Sequence, residues 1–588
     1  MKYNFPQILL NSIFLYSNGE GPLVETSYGK LEGLYRKAIN GKAVNVFKAV
    51  PFAAPPIGDL RWKKPQLPKS WDGVRKATEY SAACMSNSST TSSPQKWVDE
   101  DCLYQNIIVP AGCSKSNLCP VVFYLHGGGI NYDSAVMFND TFLVNNFGGN
   151  DVILVITAFR LGFTAVLTFD DDSIVPRNLA IYDILRSLQF VQSEIGNFGG
   201  DPSRVTLLGH SMGGGLSFML TMSKTINPDR KLWQRSIAMS GPLNVANVEL
   251  LKNLTKEFVY RAGCSPSMDF EGNGQPVEAA MKCLQTKTGI ELLAVQRAME
   301  DEDKSKVIGG ILLLDPLFPN DGIRDFLQNV PSTDVVMGSN LKEMDRFADD
   351  LDPAETMGFK NVKEVNEKYR RDEKNGDLKF SHSTDTQLLF LSNYLCANAF
   401  VNSGGTVYLY SFDYPKHPYH TDDLYYIMGI HPFEMDENEK ELAKLYPYYF
   451  LNFSKTGKPN EEWIPYNQQW DNYLSINVSL IENIYPRNEP DYHKDIIDYW
   501  TKEMPAYDSW VTTKKRWRQP EFRVSELADD LKSDLSPCTA TVIYYHTGWL
   551  SSIIFTIIVF IAGILMGRYT RRDNLEREEY IPITAWKE

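Results

Sequence analysis

A chain of 588 residues that is 43% hydrophobic, 12% aromatic and 22% charged can bury a large core, which excludes disordered, collagen-like and disulfide-dependent miniature folds. Acidic residues outnumber basic ones, 73 against 59, for a formal charge of −14. A nucleic-acid binder needs the opposite surplus on its binding face, so no nucleic-acid partner is expected.

At the N-terminus Lys2 and the apolar run from Phe5 form a weak secretory signal, expected over 1–19 and interrupted by Pro6, Gln7, Asn11 and Ser12. Ser86–Ser93 is rich in Ser and Thr and reads as an exposed loop. Val121–Leu125, Asp151–Thr157 and Val205–Leu208 read as buried strands, while Ala180–Ile195 has helical spacing, with Ile184, Leu185, Leu188 and Val191 on one side. Strand, helix, strand implies parallel strands joined by a crossover. Cys84/Cys102, Cys113/Cys119 and Cys264/Cys283 could each close a short loop, with Cys396 and Cys538 left over. Spacing alone leaves the connectivity open.

Beyond Trp510 the chain turns polar, with a basic Lys514–Arg518 and an acidic Glu526–Asp534, and 511–547 reads as a stalk. Trp549–Gly567 then runs for nineteen residues without a charge. At 1.5 Å per residue that is about 28 Å, close to the hydrocarbon thickness of a bilayer. Arg568, Arg571 and Arg572 follow, as expected on the cytoplasmic side. The expected order is therefore an ectodomain over 20–510, a stalk, a transmembrane helix over 548–567 and a cytoplasmic tail over 568–588. Sequons at Asn87, Asn139, Asn253, Asn452 and Asn477 all precede the span, as do all eight cysteines, which favours an oxidising, glycosylating compartment.

Gly209-His210-Ser211-Met212-Gly213 fits G-x-S-x-G and follows the strand VTLL directly, opening into Gly214, Gly215 and the apolar LSFMLTM. A strand-to-helix turn this tight strains its central residue, and flanking glycines avoid the clashes. The serine hydroxyl needs a base. His126 and His210 precede or adjoin it and are excluded by the order Ser, acid, His, and His546 lies at the membrane edge. His382, His417, His420, His431 and His493 remain. His126-Gly127-Gly128-Gly129 follows the strand VVFYL and suits an oxyanion hole, because a glycine run lets backbone N–H groups approach a substrate oxygen.

Across nearly the whole ectodomain the sequence resembles the type-B carboxylesterase/cholinesterase family of α/β-hydrolases. The resemblance is carried by FKAVPFAAPPIGDLR (47–61), EDCLY (100–104), HGGG (126–129), FRLGF (159–163) and FGGDPSRVTLLGHSMGGG (198–215). It implies an α/β fold with a central, mostly parallel, twisted sheet flanked by helices. It assigns the nucleophile to Ser211, the acid to Glu343 in GSNLKE and the base to His420 in HTDDLYYI, with His431 as rival. The implied oxyanion donors are the N–H groups of Gly128, Gly129 and Met212. It pairs Cys84 with Cys102 and Cys264 with Cys283, and joins Arg61 to Glu100 and Arg160 to Asp183. A third bridge of the cholinesterases is missing, since Cys396 faces a stretch around Trp500 without cysteine.

Departures bear on substrate. Lys342 replaces an acidic residue, Met212 a small one, and His210 stands where the family usually has Glu. Trp97 is not at the position of the choline-binding Trp of cholinesterases, and a quaternary ammonium needs an aromatic cage. The expected activity is that of a membrane-anchored extracellular serine carboxylesterase acting on a small-molecule ester, with no metal or cofactor. The alternative is a neuroligin- or neurotactin-like adhesion protein or receptor, and a protein partner or homodimer stays open.

Overall fold

β7 (Cys119–Leu125) and β8 (Ile153–Thr157) are buried along their whole length, and β9 (Gly200–His210) from Thr206 onward, so their apolar runs do not alternate. Strands covered on both faces have no solvent side to reserve for polar residues. The computed structural model describes residues 21–86, 97–243, 245–303, 306, 309–328, 330–348 and 351–517, with the backbone alone at 516 and 517. The signal at 1–19, Asn87, Cys538, the stalk from 518, the span over 548–567 and the tail lie outside the described residues. Among the described residues no helix is long and apolar enough to cross a membrane. The chain divides after Val511, and of the second unit the described residues 512–517 are helical.

Among the described residues fourteen strands form two sheets. β1 (Leu23–Thr26), β2 (Gly29–Glu32) and β5 (Val74–Lys76) make the small one. The large sheet adds β3 (Leu34–Lys37), β4 (Ala43–Pro51), β6 (Tyr104–Pro110), β10 (Arg235–Met239), β11 (Asp334–Asn340), β12 (Val407–Phe412), β13 (Tyr473–Ile476) and β14 (Arg487–Glu489) to β7, β8 and β9. Its order is β14-β13-β12-β11-β10-β9-β7-β8-β6-β4-β3. The block from β13 to β8 is parallel throughout, and the edges beyond it are antiparallel. This is the mostly parallel α/β sheet that the resemblance implies.

The crossover from β8 to β9 is the helix Leu179–Glu194, one residue from the predicted span at each end. β9 extends well past VTLL, because Gly200 already pairs with Cys119 of β7. The bridges Cys84–Cys102, Cys113–Cys119 and Cys264–Cys283 are formed, and Cys396 is free and buried. Both expected ion pairs are present. Arg61 grips Glu100 through Nε and Nη2 at 2.6 and 2.5 Å and also donates to the carbonyls of Leu284 and Lys287. Arg160 holds Asp183 at 2.8 and 2.7 Å, both fully buried, so each charge is matched by a two-pronged partner.

Candidate active site

Four turns leave the carboxyl ends of the parallel block, where open α/β sheets place their ligand sites. The register aligns them: Leu125 of β7 lies beside Gly209 of β9, Met239 of β10 beside Gly338 of β11, and Asn340 of β11 beside Phe412 of β12.

Ser211 sits between β9 and the helix Met212–Met222 with φ 57° and ψ −130°, a backbone conformation that side-chain-bearing residues avoid. Its N–H donates to the Met239 carbonyl at 2.9 Å, which fixes the strained turn to β10. The flanking glycines are sterically required. A Cβ at Gly209 would lie 1.9 Å from the Gly213 oxygen, and one at Gly213 would lie 2.1 Å from the Leu125 oxygen. Beside it, a Cβ at Gly127 would come within 2.9 Å of Ser211 Cβ, so the glycine loop after β7 passes directly against the serine. Gly128 and Gly129 have φ of 87° and 65°. Among the described residues the N–H groups of Gly128, Gly129 and Met212 donate to no protein group, which leaves all three for a ligand.

The loop after β12 brings His420 Nε2 to 2.9 Å from Ser211 Oγ. The turn after β11 brings Glu343 Oε2 to 2.5 Å from His420 Nδ1. With Nδ1–H donating to the carboxylate, Nε2 is free to accept the serine proton. Glu343 is fully buried, and its other oxygen accepts the Asn340 N–H at 2.6 Å. Burial pulls the His420 pKa down, but the charge and hydrogen bond of Glu343 outweigh it and leave the imidazole above its ordinary value. The two turns are tied to each other: His420 N–H donates to the Glu343 carbonyl at 2.8 Å, Lys342 N–H to the Pro418 carbonyl at 2.9 Å, and Asn340 Nδ2 to the Tyr419 carbonyl at 2.6 Å. The Lys342 side chain is exposed, so that departure stays outside the constellation.

Three of the other candidate bases are engaged elsewhere. His382 bonds Asp345 at 2.9 Å, His417 stacks on Phe433, and His493 stacks on Phe390. His431 makes no hydrogen bond to Ser211 or Glu343 and is exposed. His126 stacks on Phe159, and burial depresses its pKa to about 4, so it is a neutral core residue.

Ser211 opens into a cavity of about 850 Å³ with Met212, Pro242, Leu250, Leu251 and Ile323 among its apolar walls and Asp321, Arg324 and Glu355 among its polar ones. That is the size of a pocket for a drug-sized ligand. Met212 lines it beside the serine. Trp97 is exposed and is not part of this wall. Among the described residues no group of three His, Cys, Asp or Glu side chains is arranged to hold a metal. Sequence reasoning missed two residues beside the site, Asn340 and Asp423. Both lie inside the segments GSNLKE and HTDDLYYI, but nothing in the residue types shows that the two loops meet.

The sequence profile of the Carboxylesterase family matches residues 20–387 and 359–492. Pyrethroid hydrolase Ces2e of Rattus norvegicus is 29% identical over 552 residues, 82% of this chain and 90% of its own. Carboxylesterase 5A of Homo sapiens is 28% identical over 567 residues, 85% and 93% of the two chains. Gut esterase 1 of Caenorhabditis elegans is 31% identical over 346 residues, 58% and 57% of the two. All three carry hydrolase or esterase names, and the adhesion alternative gains no support from them. A profile match over most of the sequence, added to the sheet and its carboxyl-edge turns, means that the chain belongs to the carboxylesterase family.

Proposed function

We propose that this protein is a serine carboxylesterase working through an acyl-enzyme, with Ser211 as nucleophile, His420 as base and Glu343 as the residue that orients it. The observation that carries the reading is the unbroken hydrogen-bonded chain from Ser211 Oγ through His420 to a buried Glu343. In the first step Oγ bonds to the ester carbonyl carbon and its proton moves to His420 Nε2, while Glu343 stabilises the imidazolium. The N–H groups of Gly128, Gly129 and Met212 receive the oxyanion, at about 3–4 kcal/mol for an important donor. The carbon–oxygen bond to the alcohol then breaks and His420 returns the proton to the leaving oxygen. Water repeats the cycle on the acyl-serine and frees the acid.

The substrate is a small carboxylic ester that fits an apolar-walled cavity of about 850 Å³. We place the hydrolase domain on the extracellular or lumenal side of a single span over 548–567. The uncharged stretch and its trailing arginines support the span, and three disulfides support an oxidising compartment. A fluorophosphonate probe should label the full-length protein at Ser211 and leave Ser211→Ala unlabelled. Absence of labelling in folded wild type would sink the esterase reading. Protease protection of the hydrolase domain in sealed microsomes tests the topology, which a cleaved domain would overturn.

A further inference from the structure

The N–H groups kept for the oxyanion cannot also fix the loop that presents them. Gly128 and Gly129 stand at φ of 87° and 65°, and among the described residues neither N–H donates to a protein group. A glycine run has more backbone freedom than any other. Other contacts must hold it, and they converge on Asn131.

Asn131 N–H and Tyr132 N–H both donate to the Gly128 carbonyl, at 2.8 and 2.9 Å, and Gly162 N–H donates to the Ile130 carbonyl at 2.8 Å. The Asn131 side chain is buried and reaches the helix Gly289–Glu302. Its Oδ1 accepts from Gln296 Nε2, and its Nδ2 donates to Glu300 Oε1 at 2.9 Å. Gln296, also buried, donates to Glu300 Oε1 at 2.7 Å and accepts the Phe163 N–H at 2.9 Å. The fit is close, since a Cβ at Gly162 would lie 2.4 Å from Gln296 Oε1. Gln296 thus uses both amide hydrogens and its oxygen, and a buried polar network satisfied in this way is rigid. The helix is itself seated. A Cβ at Gly289 would lie 2.9 Å from Glu100 Oε2, and Arg61, which grips Glu100, donates to the Leu284 and Lys287 carbonyls just before it.

We propose that Asn131 and Gln296 are positioning residues for the oxyanion hole: the helix Gly289–Glu302 clamps the glycine loop from outside and sets where the Gly128 and Gly129 N–H groups point. Neither side chain lines the cavity that opens from Ser211, so both act through the loop backbone. An oxyanion donor acts only when it sits about 3 Å from the developing charge, and a displacement of about 1 Å can cost about a hundredfold. The tetrahedral oxyanion depends on these donors more than the ester carbonyl does. A loosened clamp therefore lowers kcat and spares KM.

The inference rests on the esterase reading and is tested on the full-length protein with a neutral aryl ester and an aryl trifluoromethyl ketone. Ser211 Oγ adds to the ketone carbon, the carbonyl electron pair moves onto oxygen and the serine proton goes to His420, so ketone affinity reports on the hole. Asn131→Asp sets a like charge beside Glu300. It should lower kcat about ten- to a hundredfold and weaken the ketone to a similar extent, with KM within about threefold of wild type. Adding Glu300→Gln restores an amide facing a carboxylate with the roles exchanged, and should recover most of both losses. A merely structural role would lower the unfolding temperature and leave kcat and ketone affinity of the folded variant in place. That result overturns the inference, and fluorophosphonate labelling of wild type leaves the esterase reading standing. If Asn131→Asp does not fold, Glu300→Ala at a half-buried position decides: a severalfold loss of kcat and ketone affinity supports the clamp, and no change in either overturns it. If wild type neither turns over the ester nor takes the label, the esterase reading fails and this inference falls with it.

Discussion

The nucleophile side and the acid–base side of the site are held by different physics. Ser211 and the glycine loop beside it are fixed by exclusion: backbone passes so close that no Cβ fits at Gly209, Gly213 or Gly128. Glu343 and His420 are fixed by attraction, through hydrogen bonds between two loops 77 residues apart in sequence. Exclusion is short-ranged and all-or-none, whereas a set of hydrogen bonds can be weakened one member at a time.

The contrast orders the expected effects of substitution. Gly213→Ala should be the most severe: a Cβ 2.1 Å from the Leu125 oxygen forces strand β7 and the elbow apart. We expect a loss of at least about 3 kcal/mol, read by thermal unfolding, with no fluorophosphonate labelling. A folded, labelled variant would show that the turn tolerates what its geometry forbids. On the other side, Glu343→Gln should fold but lose about 10⁴-fold in kcat, because the amide no longer enforces the right imidazole tautomer. A loss under tenfold would assign the orienting role elsewhere.

Smaller effects sharpen the comparison. Asn340→Ala removes donors to the Tyr419 carbonyl and Asp423 but keeps the backbone bond to Glu343. It should cost about 1–3 kcal/mol of stability. A slight displacement of the His420 loop should lower kcat roughly ten- to a hundredfold. Lys342→Ala alters an exposed side chain beside the acid and should stay within about 0.5 kcal/mol in stability. By the same scale it should stay within about threefold in kcat/KM. A large effect of Lys342→Ala would mean that the acid turn is held by more than its hydrogen bonds.

The two sides also differed in legibility. The strand-to-turn-to-helix context of G-x-S-x-G and the strand before HGGG are contiguous, so their chemistry could be read from local order, and the structure places them against each other. The acid could not: Glu343 is one of many acidic residues, and only the resemblance singled it out. By residue types alone the base was open among five histidines; the resemblance singled out His420 with His431 as rival, and the loop after β12 sets His420 Nε2 against Ser211 while His431 makes no bond to it. The strands VVFYL, DVILVIT and VTLL were legible as apolar runs, but the small sheet and the edge strands β3 and β14 were not, because short half-buried strands carry little periodicity.

By itself, then, the sequence determined what depends on neighbours along the chain: buried strands, the crossover helix, the two glycine turns, the local pairs Cys84/Cys102 and Cys264/Cys283 that the family resemblance implied, and the uncharged stretch before Arg568. Tertiary structure decided what depends on neighbours in space. It set His420 rather than its rival His431 beside Ser211, buried Glu343 where its charge raises the His420 pKa, and set His210 against Asp423 behind the base. The reason is that backbone sterics act within a few residues, while burial and charge act over distances that only the folded sheet defines.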